Sequence, residues 1–466
     1  MRAWESATWA RSIREEEVIA TVGQRLAQRI LERTQPGDAL LLIAGRGHNG
    51  DDVRAAAPHL PGRTITLLNI TDPAASLEPL RQHLLTRPAL ILDGLFGIGL
   101  NRPLEGPWLE LIQCLNAADL PVAAVDVPSG LDAQTGLPLG DAIRARVTWT
   151  LGAAKTGLVS TLAAEFIGRL EVLPDIGLAP LSEITLPESV PPTDMEQRWV
   201  QAEDFQQFPP VRSVAGNKST FGHVLLFAGS TGYHGAAVLA ARGAMRAQPG
   251  LITVCTSPET YLPIASQLHA PMVHPWHKDW SPPESVSAIL IGPGLAAPDA
   301  RPRFESVLAQ HWLASPHPVV VDASALDWLP VSSHALPGLR VITPHPGEAA
   351  RLLRSTSSTV QSDRPAALRE LSKRYGRCWV ILKGHQSLVG TDSGPMTVNS
   401  SGNPSMAQGG SGDLLAGLLT GLLAIPALQR TPQTTLPYAV WRHGNAADLL
   451  SQRDPHWSLE SLAAVV

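Results

Sequence analysis

A chain of 466 residues exceeds one ordinary core and predicts two to three domains. With 44% hydrophobic residues, 17% charged residues and a formal net charge of −5, the composition is that of a globular protein. It lacks the basic excess that a nucleic-acid partner requires. No stretch approaches the roughly 20 apolar residues of a membrane span. The start, Met1-Arg-Ala-Trp-Glu-Ser, lacks the apolar segment of a secretion signal. Three scattered cysteines (Cys114, Cys255, Cys378) form neither a metal pattern nor a disulfide framework, so the expected location is a reducing cytoplasm.

In chain order, residues 15–34 carry an apolar stripe at helical spacing: Val18, Ile19, Val22, Leu26 and Ile30. The run 39–44 is wholly apolar, the mark of a strand buried on both faces of a parallel sheet. It breaks into Gly45-Arg-Gly-His-Asn-Gly50, with a helix expected from about Asp51. Strands are predicted at 64–68, 89–92 and 122–125, with helices between, which gives an open doubly wound α/β domain. Ligands of such sheets bind beyond the carboxyl ends of the strands. Asn49, Asp52, Asp93 and Asp126 all follow strands, and that placement groups them. Asn49, Asp93 and Ser129 offer oxygens suited to a hard cation. The spacing Gly45-x-Gly-x-x-Gly50 matches a dinucleotide fingerprint, but Asp72 does not stand cleanly at a strand end, and a standard NAD-dehydrogenase domain is not predicted.

Proline-rich, polar residues between about 183 and 213 read as a linker. We divide the chain into domains at 1–190 and 216–466 with a linker at 191–215. The second half predicts strands at 222–228, 251–255, 288–291, 318–321, 340–342 and 379–382. Helices are expected at 236–246, 413–424 and 437–450. Its chemistry centres on Asn403-Pro-Ser-Met-Ala-Gln-Gly-Gly-Ser-Gly-Asp413 before an apolar run. Glycines permit the turn, and the helix it opens presents unpartnered N–H groups to phosphate. Asp413 stands at that end as a candidate proton acceptor. Asp322 ends a strand, His345 sits between two prolines in Thr343-Pro-His-Pro-Gly-Glu348, and Lys383-Gly-His-Gln-Ser387 offers an ammonium and a hydroxyl to phosphate. No Walker A sequence occurs, which excludes a P-loop enzyme.

The first-half stretches, with Asp93-Gly-Leu-Phe-Gly-Ile-Gly-Leu-Asn-Arg-Pro103 and Val125-Asp-Val-Pro-Ser-Gly-Leu-Asp132, resemble the epimerase domain of the NAD(P)H-hydrate repair enzymes. The second half, from Lys218 to Leu449, resembles the ribokinase-like fold and, within it, the dehydratase domain of that family. The fold class implied is α/β throughout, a Rossmann-like doubly wound domain followed by a ribokinase-like one. The implied activities are epimerisation of hydrated NADH and NADPH (NADHX and NADPHX) and ADP-dependent dehydration of the S epimer, with ATP as donor in some relatives and Mg2+ alongside. In the first domain the resemblance implies potassium at Asn49, Asp93 and Ser129. It places the hydrate at His48, Asn49, Gly50, Asp51, Asp52, Gly97, Ile98, Gly99, Leu100, Asn101, Arg102, Pro103 and Asp126, with Asp126 transferring the proton. In the second it implies hydrate contacts from Ala236, Gly294, His345 and Asp413. ADP contacts would come from Lys383, Gly384, His385, Gln386, Ser387 and Gly412. A homo-oligomer is compatible with this reading.

Three positions depart from the family's first loop. His48 replaces Asn, and Asp51 and Val53 replace glycines. A leader of the form Leu-Met-Glu-x-Ala-Gly is not matched before Gln24. The Asp51 carboxylate is expected to repel a phosphate and weaken the epimerase. The rival readings are a ribokinase-like small-molecule kinase, a dehydratase with an inactive epimerase domain, and a nucleotide-binding regulator. The attached first domain argues against the kinase, and intact Asp413, His345 and Lys383 argue against the regulator for the second half.

Overall fold

The computed structural model describes residues 1–185 and 197–466, which cluster into two compact units, Met1–Pro191 and Pro192–Val466. No helix among the described residues is long and apolar enough to cross a membrane.

The first unit is a six-stranded parallel sheet in the order β2-β1-β3-β4-β5-β6. Its strands are β1 (Ala39–Ala44), β2 (Thr64–Asn69), β3 (Leu90–Gly94), β4 (Val122–Val125), β5 (Val147–Leu151) and β6 (Arg169–Leu173). Leu40 to Ala44 are buried on both faces, as their unbroken apolar run requires. The principal helices are α1 (Arg2–Trp9), α2 (Glu15–Leu31), α3 (His48–Ala56), α4 (Pro73–Leu85) and α5 (Pro107–Ala117). Val22, Leu26 and Ile30 of α2 are buried in one core with Val53 and Ala56 of α3. Helix α3 starts at His48 and not at Asp51, because Gly47 already has the extended conformation of an N-cap. Asp72, the acid of the dinucleotide comparison, instead caps α4 by accepting from Ala74 N at 3.0 Å. The strand order reverses beside β1, between β1 and β3, so the crevice there lies over the residues that follow these strands.

The second unit holds a ten-stranded sheet in the order β10-β9-β8-β11-β12-β13-β14-β15-β16-β7. Its strands are β7 (Gln197–Val200), β8 (His223–Phe227), β9 (Leu251–Thr256), β10 (Met272–Pro275) and β11 (Ala288–Ile291). They continue with β12 (Val319–Val321), β13 (Arg340–Ile342), β14 (Trp379–Leu382), β15 (Leu388–Gly390) and β16 (Met396–Asn399). Pairing is parallel from β10 to β14 and antiparallel through the β14-β15-β16 meander. The linker expectation is corrected here. Gln197–Val200 pairs in parallel with Met396–Asn399 as an edge strand, and Phe205 is buried with its ring 5.3 Å from that of Tyr438. The flanking prolines concealed a short Trp-Val strand and an aromatic anchor. Residues 191–196 of the expected linker lie outside the described residues.

The helices used below are α6 (His234–Arg246), α7 (Ala300–Ala314), α8 (Pro346–Leu353), α9 (Arg364–Arg374), α10 (Ser411–Ala424) and α11 (Pro432–Arg453). From Leu414 to Ala424, α10 is buried throughout, with six leucines each worth roughly 1.5–3 kcal/mol of burial. It lies so close to α6 that a Cβ on Gly417 would stand 1.9 Å from Ala240 O. This close approach fixes where the N-terminus of α10 emerges, at the carboxyl end of the sheet.

Candidate functional site

The first unit brings Asn49, Asp93 and Ser129 together. Asp93 is fully buried at the end of β3, where Ser129 Oγ donates to its Oδ1 at 2.6 Å and Ser129 N to its Oδ2 at 2.9 Å. Leu95 N donates to Oδ1 at 3.2 Å. Burial raises the Asp93 pKa, and the Ser129 and Leu95 hydrogen bonds oppose it. Asn49 Nδ2 donates to Phe96 O at 2.8 Å and to Val125 O at 3.0 Å, tying three strand ends together. The Ser129 and Leu95 donors to Asp93 are all neutral, so its charge fits a hard cation, and the set of side-chain and carbonyl oxygens is of the right chemistry.

Beside this cluster lies a cavity of ≈ 460 Å³, lined at its polar end by Asn49, Asp52 and Asp126, with His48, Gly97, Ile98, Gly99 and Leu100 on its wall. Gly50, Asp51, Asn101, Arg102 and Pro103 are not among its lining residues. Asp126 has φ +64°, and its Oδ1 accepts from Leu151 N at 3.1 Å and from the Lys155 ammonium. Lys155 also donates to Leu151 O at 2.8 Å and Thr150 Oγ1 at 3.0 Å. With side-chain exposures of 7% and 10%, Lys155 and Asp126 form a buried pair. Burial raises the Asp52 pKa well above its ordinary value, and the charge of Asp126 adds to it.

Sequence reasoning missed Lys155, whose one signal is a lysine just past the strand 147–151. It also missed the cavity wall from the N-terminal helices: Arg2, Glu5 and Trp9 of α1 and Glu15 of α2. The expected repulsion by Asp51 is corrected. Its Oδ1 is 2.7 Å from Arg54 Nη2, so its charge is paired, and Asp51 does not line the cavity. Val53 is fully buried in the core. His48 Nε2 lies 2.8 Å from Glu15 Oε1.

In the second unit the ends of β12, β13 and β14 and the start of α10 converge. Gly410, at φ +101°, makes the turn, and α10 begins at Ser411. A Cβ on Gly412 would stand 3.2 Å from Lys383 Nζ and 3.9 Å from Asp322 Oδ2, which measures how near these groups lie to the helix N-terminus. Lys383 Nζ donates to Asp322 Oδ1 at 2.8 Å and lies 3.9 Å from Glu348 Oε2. Burial works against this ammonium, yet Asp322, Glu348 and Asp413 outweigh it and raise its pKa. Asp413 is pushed up to about 7, by burial first and then by Asp322, while Lys383 pulls the other way. Asp413 is thus a carboxyl poised to exchange a proton near neutrality.

His345 is the N-cap of α8: its Nδ1 accepts from Gly347 N at 3.0 Å, and its Nε2 lies 3.5 Å from Glu348 Oε1 with the ring half exposed. Gly294 abuts Ala236, since a Cβ on the glycine would stand 3.0 Å from Ala236 Cβ. The loop Gly384-His385-Gln386-Ser387 is held by Arg364, which donates to Leu382 O at 2.9 Å and His385 O at 2.6 Å. Ser387 Oγ donates to Gly384 O at 3.1 Å. Glu348 and His443 were not among the predicted site residues. His443 is buried, and burial and Lys383 lower its pKa to about 4, so the ring is neutral.

Residues 224–464 match the family model described as NAD(P)H-hydrate dehydratase, and residues 66–157 match that described as YjeF-related protein N-terminus. The chain is 32% identical over 488 residues to the bifunctional NAD(P)H-hydrate repair enzyme Nnr of Gloeobacter violaceus, covering 96% of this chain and 92% of the relative. It is 31% identical over 466 residues to the enzyme of the same name from Coxiella burnetii, covering 94% and 90%. A crystal structure of a ribokinase-like superfamily protein from Enterococcus faecalis has 27% identity and a TM-score of 0.50, covering 57% of this chain and 93% of that one. With both halves matched in order and nearly the whole length aligned, the chain belongs to the bifunctional NAD(P)H-hydrate repair enzymes, which join an epimerase to a nucleotide-dependent dehydratase.

Proposed function

We propose that Asp413 is the general base of the dehydratase. Its carboxyl, held near neutrality at a helix N-terminus, carries this reading. Asp413 takes the proton of the misplaced ring hydroxyl as that oxygen attacks the terminal phosphoryl group of ADP or ATP. The bond to the leaving nucleotide breaks as the new P–O bond forms. The N–H groups of Gly410, Ser411 and Gly412, with the Lys383 ammonium, offset the charge on the transferring group. Phosphate then departs with the C–O electron pair, a proton leaves the neighbouring carbon, and the dihydronicotinamide double bond returns. Ala236, Gly294 and His345 hold the hydrate, and Lys383 to Ser387 with Gly412 hold the nucleotide. Asp322, Glu348 and Asp413 set three carboxylates against one ammonium, a surplus of negative charge that suits Mg2+ accompanying the nucleotide's phosphates.

In the first domain, residues 1–190, inversion at a carbon bearing a hydroxyl needs one group to give a proton and another to take one. Asp52, whose pKa burial raises well above its ordinary value, and Asp126, paired with Lys155, supply that couple. Asn49, Asp93 and Ser129 would hold potassium, which would neutralise Asp93. His48, Asn49 and Gly97 to Leu100 contact the hydrated nucleotide. The free cysteines suit a cytoplasmic setting. The test supplies purified R epimer with and without ADP and follows NADH absorbance. Conversion of the R epimer that requires both ADP and intact Asp126 supports epimerisation followed by dehydration; conversion by the Asp126→Ala variant at the parent rate would remove Asp126 from the epimerase.

A further inference from the structure

Helix α11 carries no residue of the predicted site, yet it grips both ends of the turn that delivers Asp413. At the entrance, Gly402 N donates to Asp448 Oδ2 at 3.0 Å and Asn403 Nδ2 donates to Asp448 Oδ1 at 3.0 Å. One residue earlier, Ser401 Oγ donates to Trp441 O at 2.7 Å. Asn403 passes this anchoring on, because its Oδ1 accepts from Ser405 N at 3.1 Å. At the exit, the buried ring of His443 stands beside the Ser411 main chain at the first residue of α10. Its Nε2 has no partner among the described residues. Between these anchors run residues 404–410, which end in two glycines and would otherwise lose much conformational freedom on ordering. A buried carboxylate such as Asp448 is costly unless its hydrogen bonds are used.

We propose that Asp448 and His443 are positioning residues for dehydration: they set where the Gly410 to Gly412 N–H groups and the Asp413 carboxylate stand relative to the transferring phosphoryl group. Neither touches the reacting atoms. The inference rests on Asp413 as the base. A misplacement of about 1 Å costs about 10²-fold in rate, so loosening either anchor should lower kcat more than it raises KM.

The test is a reciprocal exchange in the full chain, with S epimer and ADP. Asp448→Asn should lower kcat ten- to hundredfold (about 1.4 kcal/mol per tenfold) while KM for ADP changes less than about threefold. Adding Asn403→Asp exchanges donor and acceptor and keeps both hydrogen bonds, so the double variant should return to within about fivefold of the parent. Parent-like kcat in Asp448→Asn, or a double variant no better than the single, overturns the proposal. Should Asp448→Asn fail to fold by circular dichroism, the double variant decides: folding with turnover supports the exchange, and anything less overturns it. For His443, Gln should retain more turnover than Leu, and the reverse order removes it. Asp413→Asn run alongside separates the readings. Turnover retained there removes the base itself, whereas turnover lost there and kept in Asp448→Asn removes only the anchor.

Discussion

Replacing Asp413 by Asn should abolish dehydration and stabilise the protein, in a pH-dependent way. The Asp413 pKa rises from 3.8 in the unfolded chain to about 7 when folded. The folded state therefore binds this proton more tightly, and stability falls as pH rises from about 4 to about 7, by up to ~1.4 kcal/mol per pH unit. Above that window the ionised carboxylate costs a constant amount, with a ceiling of about 4 kcal/mol, because Asp413 keeps part of its surface in solvent. Asn is isosteric and carries no charge, so it removes the penalty. Thermal melts at pH 5 and pH 8 should show Asp413→Asn gaining more at pH 8, at about 2–4 °C per kcal/mol. Turnover should fall at least ~10²–10⁴-fold over the same range. Equal gains at both pH values would refute the burial argument, and retained turnover would refute the role.

The same pKa predicts that parent kcat/KM for dehydration rises with pH through a limb near 7 and levels above it; a limb near 4 would mean that Asp413 is not desolvated in the free enzyme. Lys155→Met leaves the buried Asp126 carboxylate unpaired, so conversion of the R epimer should drop while conversion of the S epimer persists, with a loss of roughly 3–5 kcal/mol in urea unfolding of the first domain. Asp93→Asn should reduce epimerisation and remove its dependence on potassium, tested by exchanging potassium for a bulky organic cation. Asp51→Gly should change the epimerase KM less than about threefold, since Arg54 already pairs that charge. Val53→Gly should instead destabilise the first domain by about 2–4 kcal/mol, as it empties a fully buried site within α3.

The residues legible in the sequence were those whose local pattern matched their environment. The run 39–44 is apolar at every position because both faces of β1 are covered, and Asp93 and Asp126 read as site residues because they follow such runs. Strand β5 escaped because Val-Thr-Trp-Thr-Leu alternates like a half-exposed strand, although Thr148 and Thr150 are fully buried. Thr148 meets that burial by donating to Ile167 O at 2.8 Å, a partner 19 residues away that no local pattern announces. Missing β5 meant missing Lys155 just beyond it. The linker reading failed for a similar reason, since the edge strand 197–200 finds its partner almost 200 residues later in β16. Asp51 looked harmful because sequence shows a charge and not its counter-ion, and Arg54 lies one helical turn along.

The two units answer the same electrostatic problem in opposite ways. Each places an aspartate past the end of a parallel strand and pairs it with a lysine, buried in the first case and partly buried in the second: Asp126 with Lys155, and Asp322 with Lys383. In the first unit the paired aspartate is itself the proposed proton-transfer group, and burial raises the pKa of the neighbouring Asp52. In the second, Asp322 takes the lysine, and Asp413, a third carboxyl beyond the pair, keeps a pKa of about 7. A group that only shuttles a proton between faces of one carbon can stay ion-paired, because substrate and product carry the same charge. A base that acts while phosphate charge gathers beside it needs a conjugate acid that stays protonated at neutral pH. On this argument, removing Asp322 should do more than reduce the negative charge proposed to suit Mg2+. Asp322→Asn frees Lys383 to pair with Asp413, so the dehydratase limb should move from about 7 toward lower pH, and kcat should fall as the base weakens. A limb that stays at 7 in Asp322→Asn would mean that burial alone sets the Asp413 proton affinity, and the lysine's allegiance would then have no part in tuning the base.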